Sequence, residues 1–328
     1  MRTEARFPEI PDGAGHYESF YIKATRPGGG RGVWIRHTVH KRPGAAPTAS
    51  LWFTLFDADQ PRPVATKVTV GGDRLRVPDG GYVAIGDSVL EPGRARGEAS
   101  SEALPTSWDL SFDSDLEPLH HLPHRWMYRA RLPRTKVLSP YPGARFTGTV
   151  TVDDESIDVD GWPGMVGHNW GAEHAERWIW LHGDDFRGGS GYLDVAAGRI
   201  KVGGLTTPWI ANGMLRLDGE DIRLGGLDRI WSTRIEERPT RCDFTLAGRG
   251  VKVGGTVGAD PANFVGWVYA DPDGTEHNTV NCSIADLELT VERRGSAPRR
   301  LEALRAAAYE LGMRETDHGI PIQPYPDG

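Results

Sequence analysis

Short runs in which β-branched and aromatic side chains mix with polar ones recur along the whole chain, and most are bounded by Gly or Pro. The first is HYESFYIKAT, His16–Thr25, turned at its end by Pro27 and three glycines. Residues 32–41 (GVWIRHTVHK) and Thr48–Asp57 (TASLWFTLFD) follow, separated by another Pro-Gly loop. This is the signature of strands joined by tight turns. The same signal marks 64–70, 82–85 and 107–113, and 143–159 reads as a hairpin about Asp153-Asp154-Glu155. Further strands are predicted at 177–182, 191–196, 209–217, 221–224, 241–247, 251–257, 264–270 and 281–292.

One segment reads differently. Over 298–314 (PRRLEALRAAAYELGMR), Leu301, Leu304, Ala308 and Leu311 recur at three- to four-residue spacing among good helix formers. That spacing predicts a C-terminal helix packed on the β structure. Many short strands with turns between them indicate sandwiches or barrels and not a parallel α/β sheet. The chain is long for one barrel of about eight strands, so two consecutive antiparallel β domains are expected. The Pro-rich stretch 132–142 (LPRTKVLSPYP) is taken as the crossing, giving domains 1–138 and 139–328.

Composition narrows the function. The 328 residues are 38% hydrophobic, with a formal net charge of −7. No run of Lys and Arg with interleaved aromatics is read in it, so nucleic acid is not expected as a partner and electrostatic docking to anionic lipid is unsupported. Cys242 and Cys282 have neither CxxC spacing nor a nearby His pair, and are expected to be reduced core residues. The first residues lack an apolar leader and no stretch approaches about 18 apolar residues, so the expectation is a cytoplasmic protein with no stable membrane insertion. No phosphate loop, dinucleotide fingerprint or GxSxG elbow is present.

The densest polar–aromatic cluster is WPGMVGHNWGAEHAERWIWLH, from Trp162 to His182. Alternation places Trp178, Trp180 and His182 on one strand face, suited to the wall of a pocket. A structural aromatic cluster is the competing reading. His168 can exchange a proton near neutral pH, Asn169 can donate a hydrogen bond to developing negative charge, and Trp170 can stabilise a cation through its π face. Alternatively, His168 and Asn169 sit in a turn and satisfy its backbone. His168, Glu173, His174 and His182 match no standard metal-site spacing, so no metal is expected. The LHHLPH segment, with His120, His121 and His124, reads as a solvated loop. HNTVNCSIAD, residues 277–286, reads as mostly structural. In the first strands Glu18, Phe20 and Ile22 share one face, and Trp34, Arg36 and Thr38 share one face of the next. If these faces line a barrel, Glu18 and Arg36 are inward charges, and their pairing is expected. A Glu18 carboxyl with a tuned pKa is the functional alternative.

GHNWG followed by RWIWLHG resembles the HNWG-type segment and Trp-rich strand of hydroxyneurosporene synthase (carotenoid 1,2-hydratase). The opening strands resemble those of AttH-like proteins, and the order of features matches from about Tyr17 to about Glu292. The resemblance implies two lipocalin-like antiparallel β-barrel domains in tandem, an apolar or polyketide-like substrate, and no cofactor. It points to His168, Asn169 and Trp170, with Trp178 and Trp180 on the next strand. The hydratases tend to carry an acidic residue before the His-Asn pair, where this chain has Gly167; Glu173, Asp184, Asp185 or Glu18 are the acids that can substitute. Two functions are therefore carried forward. One is an enzyme that hydrates, isomerises or cyclises an apolar small molecule, with His168, Asn169, Glu173 and Glu18 as catalytic candidates. Trp170, Trp178, Trp180, His182, Trp34 and Arg36 would contact its ligand. The other is a non-catalytic carrier of a hydrophobic ligand. The sequence leaves the oligomeric state open.

Overall fold

The computed structural model describes residues 3–101 and 104–325. Among these residues the helical segments are short 3-10 turns, and no helix is long and apolar enough to cross a membrane. Strands β1 (His16–Thr25), β2 (Arg31–Lys41), β3 (Thr48–Asp57), β4 (Val64–Gly71), β5 (Leu75–Arg76), β6 (Val83–Ile85), β7 (Ser88–Glu91), β8 (Arg94–Glu98), β9 (Thr106–Asp113), β10 (Leu119–His120), β11 (Thr135–Val152), β12 (Glu155–Asp158) and β13 (Trp162–Gly171) form a 13-stranded sheet. Its order is β4-β3-β2-β1-β13-β11-β9-β8-β7-β6-β5, with β10 and β12 added on β11. A 10-stranded sheet takes β14 (Arg177–Asp184), β15 (Gly191–Arg199), β18 (Ile210–Leu217), β19 (Glu220–Gly225), β20 (Arg234–Arg238), β21 (Arg241–Gly248), β22 (Val251–Gly258), β23 (Val265–Ala270), β24 (Glu276–Arg293) and β25 (Arg299–Met313). The small strands β16 (Lys201–Val202) and β17 (Leu205–Thr206) pair with each other. The architecture is all-β, with antiparallel, lipocalin-like barrel sheets in tandem.

The helix expected over 298–314 is a strand. β25 pairs with β24 along most of its length and with β14 on its other edge. Its two faces are both covered. Ala307, Tyr309 and Leu311 enter the core of the second sheet, while Ala308 packs toward the first sheet with Tyr21, Met165 and Trp180. Apolar residues on both faces erase the alternation that marks a half-buried strand, and the alanines imitate a helical stripe. Here tertiary pairing overrides local propensity.

The chain changes sheets between Gly171 and Arg177. The stretch 132–142 does not cross between sheets; it runs into β11, so position 138/139 lies within a strand of the first sheet. Pro140 and Pro142 stand where β11 shifts register against β13, between Leu138 and Tyr141 and between Tyr141 and Ala144. Irregular positions of this kind tolerate a missing N–H.

Each sheet has its own core. The first is built on residues such as Phe20, Ile22, Phe53, Trp108 and Phe146. The second takes in Trp34, Trp52 and Phe56 from the first sheet, so the two sheets share buried surface. Trp52 meets Trp267 edge-on, with ring centroids 5.0 Å apart. Cys242 and Cys282 are free and buried in this second core, as expected.

Candidate active site in the seam between the two sheets

Strand β1 faces two environments. Glu18, Phe20 and Ile22 turn into the first barrel; Tyr17, Tyr21 and Lys23 turn toward the second sheet, contacting His174, Trp180 and Asp184 respectively. The neighbouring β13 divides in the same way, because Phe20 lies opposite His168 and Tyr21 opposite Gly167. The segment GWPGMVGHNWG is therefore strand at Trp162–Gly171 and not a turn. His168 and Trp170 belong to one face of it, Met165 and Gly167 to the other.

On the inner face, Glu18 Oε1 lies 2.7 Å from His168 Nε2, and Oε2 lies 3.3 Å from His16 Nε2. The backbone N–H groups of Arg6 and Phe7 also donate to this carboxylate, the latter at 2.7 Å. Burial alone would raise the Glu18 pKa, but the two histidines outweigh it and hold the carboxyl at about 2. Burial lowers the pKa of His168, with Glu18 opposing. Phe20 and Trp170 stack on the His168 ring, at centroid distances of 3.9 and 4.4 Å.

The expected Glu18–Arg36 pair does not form, because the two side chains leave the sheet on opposite faces. Tyr21, not Glu18, stands opposite Arg36 in the β1–β2 register. Arg36 donates from Nε to Ser19 Oγ at 2.6 Å and lies over the Tyr269 ring at 4.0 Å. Trp34 and Trp52 are within cation–π range of the same guanidinium, at 5.9 and 5.3 Å.

Trp178 and Trp180 share the face that alternation predicts, and it is the face turned to the first sheet. Each indole N–H holds a carboxylate on a neighbouring strand. Trp180 Nε1 donates to Asp194 Oδ1 of β15 at 3.1 Å, and Trp178 Nε1 to Glu310 Oε1 of β25 at 2.9 Å. Asp194 also accepts from Ser139 Oγ at 2.5 Å, with His121 Nε2 3.4 Å away. Burial would raise the Asp194 pKa, but His121, His182 and Ser139 bring it down to about 2. Glu310 Oε2 accepts from Tyr269 Oη and Asn281 Nδ2, each at 3.1 Å. The Tyr21 ring meets Trp180 edge-on at 5.3 Å. Burial pushes the Tyr21 phenol well above its ordinary pKa; Asp194 and Glu310 add to the rise and Arg36 opposes it. Asn169, Trp178 and Glu310 are half-buried, whereas Asp194 is fully buried.

Two further buried clusters flank the seam. Lys23 Nζ donates to the Ala306 carbonyl at 2.8 Å and lies 3.5 Å from Asp184 Oδ1. His182, beside Asp184, is lowered by burial to about 4, with the Asp184 charge opposing. At the other end, Asp271 receives the backbone N–H of His174 (2.7 Å) and faces His174 Nδ1 at 2.7 Å and His277 Nε2 at 3.1 Å. Their ligand atoms lie within 4.8 Å of one another, so these are the residues that can hold a metal. This differs from the grouping tested on spacing: His174 meets neither His168 nor His182 here.

Of the sequence candidates, Asn169, Trp178, Trp180, His182, Trp34 and Arg36 come to the seam or its flanks. His168, Glu18 and Trp170 form the separate cluster on the inner face. Glu173 joins neither; it stands at the surface paired with Arg134. His121, read as part of a solvated loop, is 3% exposed and bonded in the seam. Sequence reasoning missed Tyr21, Asp194, Glu310 and Asp271. A charge within the apolar run Tyr192-Leu193-Asp194-Val195 was the available signal for Asp194.

These sheets and their shared seam define the fold: all-β, with lipocalin-like barrels in tandem. The fold is shared with an AttH-type protein of Nitrosomonas europaea, at TM-score 0.53 and 14% identity, covering 95% of this chain and 97% of that one. It is shared also with kievitone hydratase of Nectria haematococca, at TM-score 0.51 and 11% identity, covering 91% and 88%. In sequence the chain is similar to an uncharacterized protein of Mycobacterium tuberculosis, found in strains CDC 1551 and H37Rv. Identity there is 27% over 318 residues, 95% of this chain and 91% of the relative. No protein-family model matches the chain.

Proposed function

We propose that the seam is the active site of a cofactor-independent, hydratase-like enzyme acting on an apolar small molecule. The observation that carries this reading is the pair of carboxylates, Asp194 and Glu310, each fixed by a tryptophan N–H and both close enough to act electrostatically on the Tyr21 phenol. A phenol kept protonated by its surroundings is a proton donor, and a half-buried carboxylate beside it is a base. Addition of water then balances simply. Tyr21 gives its proton to one end of a polarised double bond, and water oxygen bonds the other end. Glu310 takes the proton released by water, which returns to the tyrosinate. The indole faces of Trp178 and Trp180 bind the apolar body and stabilise positive charge developing on it. Isomerisation or cyclisation of such a substrate needs the same donor and base. That a protein of this fold bears the name kievitone hydratase adds support at the level of analogy.

The test is Tyr21→Phe, which removes one oxygen, with binding and turnover of apolar unsaturated probes measured separately. Turnover should fall by about 100-fold or more, with binding almost unchanged. Unchanged turnover overturns the assignment of Tyr21. Wild-type protein that binds the probes and returns every one intact favours the carrier reading instead.

A further inference from the structure

The connection from β10 to β11, together with the first two residues of β11, contains HRWMYRARLPRTK, residues 124–136. It holds Arg125, Arg129, Arg131, Arg134 and Lys136 and no acidic residue. It is a basic run with interleaved aromatics, Trp126 and Tyr128, which corrects the expectation that the sequence contains none. Arg125, Arg129 and Arg131 are exposed, and between them Trp126 and Leu132 stand 64% and 59% exposed. The segment is held in place: Tyr128 Oη donates to the Val137 carbonyl at 2.8 Å and accepts from the Leu122 N–H at 3.1 Å. Beneath it lies a cleft of about 350 Å³ whose lining includes Arg6, His16, Tyr128, Arg131, Lys136 and Trp170. Arg223 extends the positive field by donating to the His120 carbonyl. The acids nearby include Glu173, paired with Arg134, Glu4, paired with Arg6, Glu9 on the cleft wall, and the buried Glu18, held by Arg6 N and beside His16.

We propose that this face docks on an anionic lipid surface, with the arginines on headgroups and Trp126 and Leu132 entering the interfacial layer. Charge complementarity selects this partner. Basic residues attract an anionic membrane surface, and an exposed indole and an aliphatic side chain favour the boundary between headgroups and acyl chains. A formal charge of −7 repels such a surface elsewhere on the molecule, which makes attachment directional. The docking is peripheral and independent of the chemistry assigned to the seam.

The test is co-sedimentation of the full chain with vesicles of phosphatidylcholine, with and without phosphatidylglycerol, at low and high salt. Binding should require the anionic lipid and weaken as salt screens it. Replacing Arg125, Arg129 and Arg131 by Ala should weaken it about fivefold per residue. Trp126→Ala should weaken it severalfold while leaving the salt dependence in place. The proposal is overturned if anionic vesicles bind no better than neutral ones, or if the triple variant binds like wild type. It is equally overturned if inorganic phosphate binds in the cleft and vesicles do not.

Discussion

The ring of Tyr21 lies across Gly167, in the space that a side chain at 167 would fill. The two residues stand opposite each other in the β1–β13 register. Here glycine leaves room for a phenol delivered from the neighbouring strand, beside Asp194 and Glu310. Gly167→Ala should therefore destabilise the protein by about 1–3 kcal/mol, the usual range for overpacking. Adding Tyr21→Ala should recover part of that loss. Urea denaturation of the two single variants and the double variant measures the coupling.

Glu18 ties the N-terminal segment to the barrel, since its carboxylate receives Arg6 N, Phe7 N and His168 Nε2. Glu18→Ala leaves these buried donors without an acceptor and should cost about 3 kcal/mol. Limited proteolysis should then cut ahead of β1 more rapidly than in the wild type.

Stability should fall on mild acidification. Burial lowers His37 to about 3 and His182 to about 4, from an ordinary value of 6.5. The unfolded chain therefore binds more protons than the folded one as pH drops through 6.5, and protonation favours unfolding. Each histidine should remove on the order of 2 kcal/mol between pH 7.5 and pH 5. Glu18 and Asp194, both held at about 2, add a further loss below about pH 4.5. Denaturation midpoints of wild type and His182→Gln across this range check the sign, and the variant should show a shallower slope between pH 6.5 and 4.

Lys23 and Asp184 join the two sheets at a site closed to water. Lys23→Met leaves the Asp184 charge buried without its cation and should destabilise by about 3–5 kcal/mol. Adding Asp184→Asn should return a large share of it. An additive double variant in a thermodynamic cycle would show that the pair is not coupled.

Much of the fold was legible because most of the strands are short and bounded by Gly or Pro. His16–Thr25 and Thr48–Asp57 read to their final residues. The face shared by Trp178, Trp180 and His182 was legible for the same reason, since it needs only local alternation. What depends on a second strand was not. Glu310 lay in a stretch that resembled an amphipathic helix, where a glutamate reads as solvated. The opposite faces of Glu18 and Arg36 follow from the β1–β2 register, which no single strand displays. Asp271 gains its meaning from His174, almost a hundred positions earlier in the chain.

The two-sided character of β1 has a consequence for how this molecule can change. One strand serves as a party wall between two rooms. Its even positions furnish the barrel interior, through Glu18 and Phe20; its odd positions furnish the seam, through Tyr17 and Tyr21. A substitution at one parity can retune one room while the other keeps its furniture. Sliding the strand by a single residue would exchange the contents of both.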